Sequence, residues 1–206
     1  MTSVITGDII NSRDLQNPDK WIIPLKDLLD REGSSPQIWE LYRGDSFQLE
    51  VINAEEALLM AIRIKATLKS IKHMDVRMAI GIGNKKYDAS KITESNGEAF
   101  IYSGDQFEKL KKEKLTLAVK TPWEDFDKEM NVSIKLALIA MDHWKPKTAE
   151  IVKVSLEYPQ KGQIELAEIL GINQSSVSEG QKRSHFSEIM ELESLYREKI
   201  KKLDIK

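Results

Sequence analysis

Apolar and polar positions alternate along this chain in blocks that read as strands, helices and turns in a definite order. From Val4 to Ile10 an apolar run is broken by Gly7 and Asp8, the pattern of a buried strand ending at a turn. Pro18 opens a stretch in which Trp21, Ile22, Leu25, Leu28 and Leu29 recur at helical spacing, stopping before Gly33. Gln37 to Ile52 holds two short alternating runs around Arg43-Gly44-Asp45-Ser46, which predicts a hairpin turning at Gly44-Asp45. Ala57, Leu58, Ala61, Ile64, Leu68 and Ile71 share one side of a helix over 54–71. Val76 to Ile82 alternates again and runs into Gly83, a strand entering a loop, and the polar stretch from Asn84 to Asn96 reads as a mobile connection. A helix around Gly104–Lys112 and a strand around Leu115–Val119 complete the order β-α-β-β-α-β-α-β. That is the order of a ferredoxin-like palm with an added helix and strand.

The pattern then turns all-helical. Asp125 to Trp144 reads as one helix, Pro146 and Pro159 bracket another, and Pro159-Gln160-Lys161-Gly162 is a break. A helix, a short turn and a long helix follow. Ile164, Leu166, Ala167 and Leu170 are the expected buried positions of the first. Ala167, Gly171 and Val177 fall at the spacing a helix-turn-helix needs: a small residue for close approach, a turn glycine, and an apolar wedge. The expected α+β protein therefore has a palm over 1–122, a connecting helix over 123–144, and an all-α helix-turn-helix unit over 145–206. Its last helix carries Ile189, Leu192, Tyr196, Ile200 and Leu203 at 3–4 spacing, which suits either packing on its own unit or pairing into a homodimer.

Composition narrows the chemistry. The 206 residues are 41% hydrophobic and 31% charged, enough to fill a core. Without cysteine there is no disulfide, no thiolate metal site and no cysteine nucleophile. His73, His143 and His185 lie far apart, so no pair has zinc-binding helical spacing. The start Met-Thr-Ser-Val-Ile lacks a basic leader region, and no run reaches membrane-spanning length, so a cytoplasmic protein without a membrane contact is expected. The net charge is −2, and Lys145–Lys206 holds 11 basic against 10 acidic side chains. Any DNA contact must then come from a local patch.

Two aspartates carry the candidate chemistry. Asp8 ends the first strand and Asp45 lies in the hairpin turn, and a ferredoxin-like order sets those two strands side by side. Two carboxylates with a backbone carbonyl, that of Ile9, make a hard oxygen site for Mg²⁺ or Mn²⁺. Asn11 and Ser12, in the turn after Asp8, are placed to meet phosphate oxygens. Arg13, Arg43 and the Lys85-Lys86 pair are further phosphate candidates. In the helix-turn-helix, Gln174, Ser175, Ser176 and Ser178 open the second helix and suit base edges and phosphates, with Lys182 and Arg183 adding charge beyond them.

The motifs have a family likeness. Thr6 to Ser12 resembles the first-strand motif of class III nucleotidyl cyclases, Arg43-Gly44-Asp45-Ser46-Phe47 their hairpin motif, and Val76 to Gly83 the strand that follows. Gly7 to Arg13, Arg43 to Phe47 and Gly97 to Phe100 together resemble the bacterial SatD family, over nearly the whole chain. The resemblance implies a cyclase-like domain followed by a helix-turn-helix, with dimers where active sites form between chains. The chain departs from active purine cyclases at Leu41, where a base-reading lysine is usual, and at Glu108 and Lys112, aligned with an asparagine and an arginine. A carboxylate at 108 repels phosphate, and lysine lacks the two-pronged geometry of arginine. Three readings follow: a nucleotide- and metal-sensing DNA-binding regulator with a degenerate cyclase-like domain, a metal-dependent nucleotidyl cyclase or transferase acting on nucleoside triphosphates, and a non-catalytic protein-interaction adaptor.

Overall fold

The computed structural model describes residues 1–204. Its strands are β1 (Thr2–Ile10), β2 (Trp39–Tyr42), β3 (Ser46–Val51), β4 (Asp75–Gly83), β5 (Lys85–Tyr87), β6 (Asn96–Gly97) and β7 (Leu117–Lys120). Its α-helices are α1 (Asp19–Leu29), α2 (Ala57–Lys69), α3 (Glu98–Glu113), α4 (Glu124–Met141), α5 (Pro146–Glu157), α6 (Gln163–Leu170), α7 (Gln174–Arg183) and α8 (Phe186–Asp204). A mixed five-stranded sheet in the order β2-β3-β1-β4-β7 is the centre of this α+β protein. β1 pairs antiparallel with β3 and β4, and β7 runs parallel to β4 after the α3 crossover.

Period-two patterning decides which face is covered by what. Ile5 and Ile9 of β1, Phe47 and Leu49 of β3, and Met78 and Ile80 of β4 enter one large core closed by helices α1, α2, α4, α5 and α8. Each such side chain contributes about 1.5–3 kcal/mol on burial. The alternate residues face α3: Val4 packs with Ala99 and Phe100, and Ala79 with Phe107 and Leu110. Close approach of α3 depends on Gly81, where a Cβ would lie 2.1 Å from the Ala99 carbonyl oxygen.

The large core runs across residue 145. Ala149, Val152 and Leu156 of α5 and Ile189, Tyr196 and Ile200 of α8 belong to it. The Tyr196 hydroxyl donates to the Ala54 carbonyl at 2.9 Å, and Arg197 pairs with Glu56 and Glu193. The apolar spacing on α8 is therefore spent on the chain's own core, which removes it as a pairing stripe.

Several local expectations are corrected. The stretch 84–96 is ordered: β5 pairs with β6, and Ile92, in a 3-10 turn, is fully buried with Val4. One well-placed isoleucine anchors a segment whose composition is otherwise polar. α3 begins six residues before the Gly104 start expected for it, because Ala99 and Phe100 already pack on the sheet. Ile164 is exposed, while Leu166, Ala167 and Val177 form a small cluster with Ile151 and Val154 of α5. The helix opened by Gln174 ends at Arg183, and α8 starts afresh after His185, which has φ 55°. No helix among the described residues is long and apolar enough to cross a membrane.

Candidate functional site

The turn after β1 is set by Asn11, which takes the left-handed conformation at φ 64° and donates its side-chain amide to the His73 carbonyl at 2.8 Å. Asparagine tolerates that conformation because its short polar side chain bonds locally. The turn brings Ser12 to the hairpin, where its hydroxyl donates to Asp45 Oδ2 at 2.9 Å. The Ile9 amide donates to the Asp45 carbonyl, also at 2.9 Å. The hairpin itself reverses through Arg43 at φ 54° and Gly44 at φ 90°, and nothing crowds Gly44, so its role is conformational.

Antiparallel register then places a polar row across four strands. Tyr42 opposes Ser46, Ser46 opposes Asp8, and Asp8 opposes Arg77, all on the α3 face. One step along the strands, Glu40, Gln48 and Thr6 form a second row. Gln48 Nε2 donates to Thr6 Oγ1 at 3.4 Å, and the Thr6 hydroxyl donates to Ser103 Oγ of α3 at 3.0 Å. α3 covers β1, β4 and β7 on this face, while β2 and β3 meet the 3-10 turn at Ile92–Glu94, through Thr93 and Glu40. The result is a polar shelf beside α3, open at the Asp8–Asp45 end.

Asp8 is electrostatically unusual. Arg77 approaches it at 3.4 Å, a long contact for an ion pair. Burial pushes the Asp8 carboxyl above its ordinary range. Arg77 and Lys111 pull it down, and Asp45 and Glu108 push it up again. Three buried side-chain polar atoms lack a partner among the described residues, and two of them are here: Asp8 Oδ1 and Arg77 Nε. Buried polar atoms almost always find partners, so two orphans in one ion pair set this place apart from the rest of the fold. Tyr42, half-buried nearby, has its hydroxyl pKa raised by burial, with Arg43 lowering it and Asp8 raising it.

The expected residues divide by position. Asp8, Ile9, Ser12 and Asp45 come together. Asn11 is adjacent, but its amide is committed to His73. Arg13 and Arg43 lie exposed at the rim. Lys85 is engaged elsewhere, at 2.6 Å from both Glu50 and Asp88; burial works against its charge, but those two hydrogen bonds outweigh it and raise its pKa. Sequence reasoning missed Arg77, whose signal was a lone cation at an alternate position of an apolar strand. It also singled out Lys112 on α3, whereas Lys111 is the lysine that acts on Asp8. Among the described residues no group of three or more His, Asp or Glu side chains forms a metal cage. Two carboxylates and a carbonyl fit a cation that takes its remaining oxygens from a bound phosphate or water.

Comparison with family models, curated proteins and solved structures gives no match for this chain. The site must therefore be read from its own geometry.

The second candidate region is the pair α6–α7. Gly171 closes α6 in the left-handed conformation at φ 64°, and Val177 is fully buried between the helices. Gln174, Ser175 and Ser176 are exposed at the start of α7, Ser178 is half-buried, and Lys182 and Arg183 are exposed at its end. Arg183 is bound to Glu179 at 2.5 Å. A chain of amides fixes the start of α7: Gln174 Nε2 donates to Gln163 at 2.6 Å, Gln163 to Gln181 at 2.9 Å, and Gln181 to Ser155 at 2.9 Å. Lys147, near the start of α5, shares a surface groove with Ser176 and Arg183.

Proposed function

We propose that the chain is a nucleotide- and divalent-metal-sensing DNA-binding regulator of the SatD type, with a ferredoxin-like, cyclase-like palm followed by a helix-turn-helix. The single observation that carries the reading is the orphaned Asp8 carboxylate oxygen at the open end of the polar shelf, beside Asp45 and Ser12. The order β2-β3-β1-β4, with β7 added beside β4, is the strand order of such a palm. In this reading Asp8, Asp45 and the Ile9 carbonyl hold Mg²⁺ or Mn²⁺. Ser12, Arg13, Arg43 and Arg77 face the phosphates. Sensing is favoured over turnover because Glu108, whose pKa is lowered chiefly by its hydrogen bond to Lys111, sets a negative charge beside Asp8, and no arginine stands on that part of α3. Gln174, Ser175, Ser176, Ser178, Lys182 and Arg183 make the DNA surface, with Gln163 and Gln181 positioning the Gln174 amide for a base edge.

The test is calorimetric titration with ATP and GTP, with and without Mn²⁺, assaying the same samples for pyrophosphate. Metal-dependent binding without pyrophosphate is expected. Pyrophosphate release would replace the sensor with a nucleotidyl cyclase or transferase, and absence of any binding would reduce Asp8 and Asp45 to turn residues. The DNA half is tested separately with Gln174→Ala and Lys182→Ala. The lysine change should weaken binding equally on all sequences and flatten the salt dependence, whereas the glutamine change should act on some sequences only. If neither change alters DNA binding, a protein-interaction adaptor is the better reading.

A further inference from the structure

Three connections meet at one end of the sheet: the turn after β1, the turn between α2 and β4, and the joint between α4 and α5. Between them lies a cavity of about 460 Å³, within the size range of small-molecule sites. Ile71, Met74, Trp144 and Pro146 make part of its wall apolar. Its charged lining is basic: Lys69, Lys72 and Lys145, with His73, stand against a single acid, Asp75. That acid is already spent. One oxygen of Asp75 takes the Lys65 ammonium at 2.8 Å and the Val76 amide at 2.8 Å, and the other takes Lys69 at 3.2 Å. Lys65 and Lys69 together balance Asp75 and Asp142. Lys72 and Lys145, exposed and in no ion pair among the described residues, are therefore surplus positive charge. Lys69 is only 11% exposed, and it donates to Asp75 and to the Asp142 carbonyl, which leaves one of its three protons for the cavity.

We propose that this cavity binds a small phosphate monoester, its phosphate held by Lys69, Lys72 and Lys145 and its organic part lying against Ile71, Met74 and Pro146. A phosphate dianion suits cations that reach it from separate elements, because its terminal oxygens accept charge-assisted hydrogen bonds from several directions. The start of α5 adds to the attraction: Lys145 is its N-cap, no side chain caps its first turn, and the helix dipole is positive there. One wall is fixed in advance by the Asn11 amide, which donates to the His73 carbonyl at 2.8 Å. A DNA backbone fits less well, since it is met by cations on open surface and has no apolar part to lie on Ile71 and Met74. Lys69 and Lys72 belong to the end of α2 and the turn after it, and Lys145 to the start of α5, so a bound ester ties the sheet to the helical unit at their joint. The cavity needs no metal and does not include Asp8, Ile9, Ser12 or Asp45, so it stands apart from the metal and nucleotide reading.

Calorimetric titration of the full chain with inorganic phosphate and with phenyl phosphate tests this, in EDTA so that no divalent metal takes part. Saturable binding of both is expected, with phenyl phosphate the tighter because its ring meets the apolar wall. Lys72→Ala and Lys145→Ala change exposed positions, so the fold should persist by circular dichroism. Each should raise the dissociation constant about tenfold, as loss of one charge-assisted hydrogen bond does. Absence of saturable binding, affinities indifferent to both lysine changes, or phenyl phosphate no tighter than inorganic phosphate would overturn the proposal. So would a loss through Arg13→Ala in place of the lysines, which would put the phosphate at the Asp8–Asp45 end of the shelf, or lysine changes that weaken DNA binding alone.

Discussion

Two charged clusters draw on β4 two residues apart, and they are built in opposite ways. Asp75 belongs to a closed cluster around Lys65, a fully buried lysine of α2. Its ammonium reaches Asp75 at 2.8 Å, Asp142 at 2.6 Å and Thr116 at 3.3 Å, which accounts for all three of its protons. Lys69 adds a second cation at 3.2 Å from Asp75 and donates to the Asp142 carbonyl at 2.5 Å. Arg77 belongs to the open cluster with Asp8, where the contact is long and one buried atom on each partner is left over. Closed clusters tie elements together: α2, β4 and the end of α4 meet at Lys65. An unfinished cluster does little for the fold, and its unsatisfied atoms keep their full hydrogen-bonding capacity for something else.

The largest effect should come from breaking the closed cluster. Lys65→Ala leaves two carboxylates without their shared cation and opens a cavity, and is expected to cost about 3–5 kcal/mol. The melting temperature should fall by roughly 10 °C for a chain of this size. Lys65→Met restores the packing alone and should recover less than half of the loss. A cost below about 1 kcal/mol for the alanine variant would mean that the cluster is surface decoration and the contrast with Arg77 is false.

The open cluster should respond with the opposite sign. Asp8 has a raised pKa in the fold, so the folded state favours its protonated form. Its stabilising contribution is present below the ordinary carboxylate range and is lost as pH rises through the raised value. Asp8→Asn mimics the protonated form, so at neutral pH the variant should melt higher than the wild type. The gain should vanish in acid, where the wild-type carboxyl is itself protonated. The same change should abolish Mn²⁺ binding, and in the wild type Mn²⁺ affinity should already fall in mildly acidic solution, above the pH at which an ordinary carboxylate titrates. A destabilised Asp8→Asn at neutral pH would place Asp8 with the structural clusters.

Much of the open cluster's neighbourhood was legible in the sequence, and the closed cluster was not. Strands and helices over residues 1–122 followed from period-two and helical spacing, and Asp8, Ser12 and Asp45 were placed by their turns. Lys65 was invisible because it lies within the helix 57–69 beside Arg63 and Lys69, where a lysine reads as a solvated side chain. Arg77 was hidden for a related reason: alternation tells which face a residue occupies but not whether that face is covered. The order within 84–97 turned on Ile92, a single apolar residue whose partner Val4 is distant in sequence. The α8 stripe was read correctly as apolar, yet periodicity does not distinguish a core at home from one supplied by a second chain. The helix break at His185 left no mark, since neither glycine nor proline stands there.

The smallest effect separates two neighbouring lysines. Lys111 and Lys112 are both exposed on α3, and the family resemblance aligns Lys112 with the cyclase arginine. Lys111 is the one that pairs with Glu108 at 2.8 Å, sits 4.4 Å from the Phe107 ring centre, and lowers the Asp8 pKa. Stacking on the ring holds its stem in place, so its charge stays directed over the site. Lys111→Ala should cost less than about 1 kcal/mol in stability, as exposed ion pairs do. It should nonetheless weaken nucleotide binding, because it removes a cation facing the shelf and frees Glu108 to repel phosphate. Lys112→Ala should leave that affinity nearly unchanged. Measured side by side in the same titration, a larger loss from Lys112→Ala would mean that α3 is rotated relative to β1 when ligand binds. The open cluster would then be completed by Lys112 after a shift of one residue.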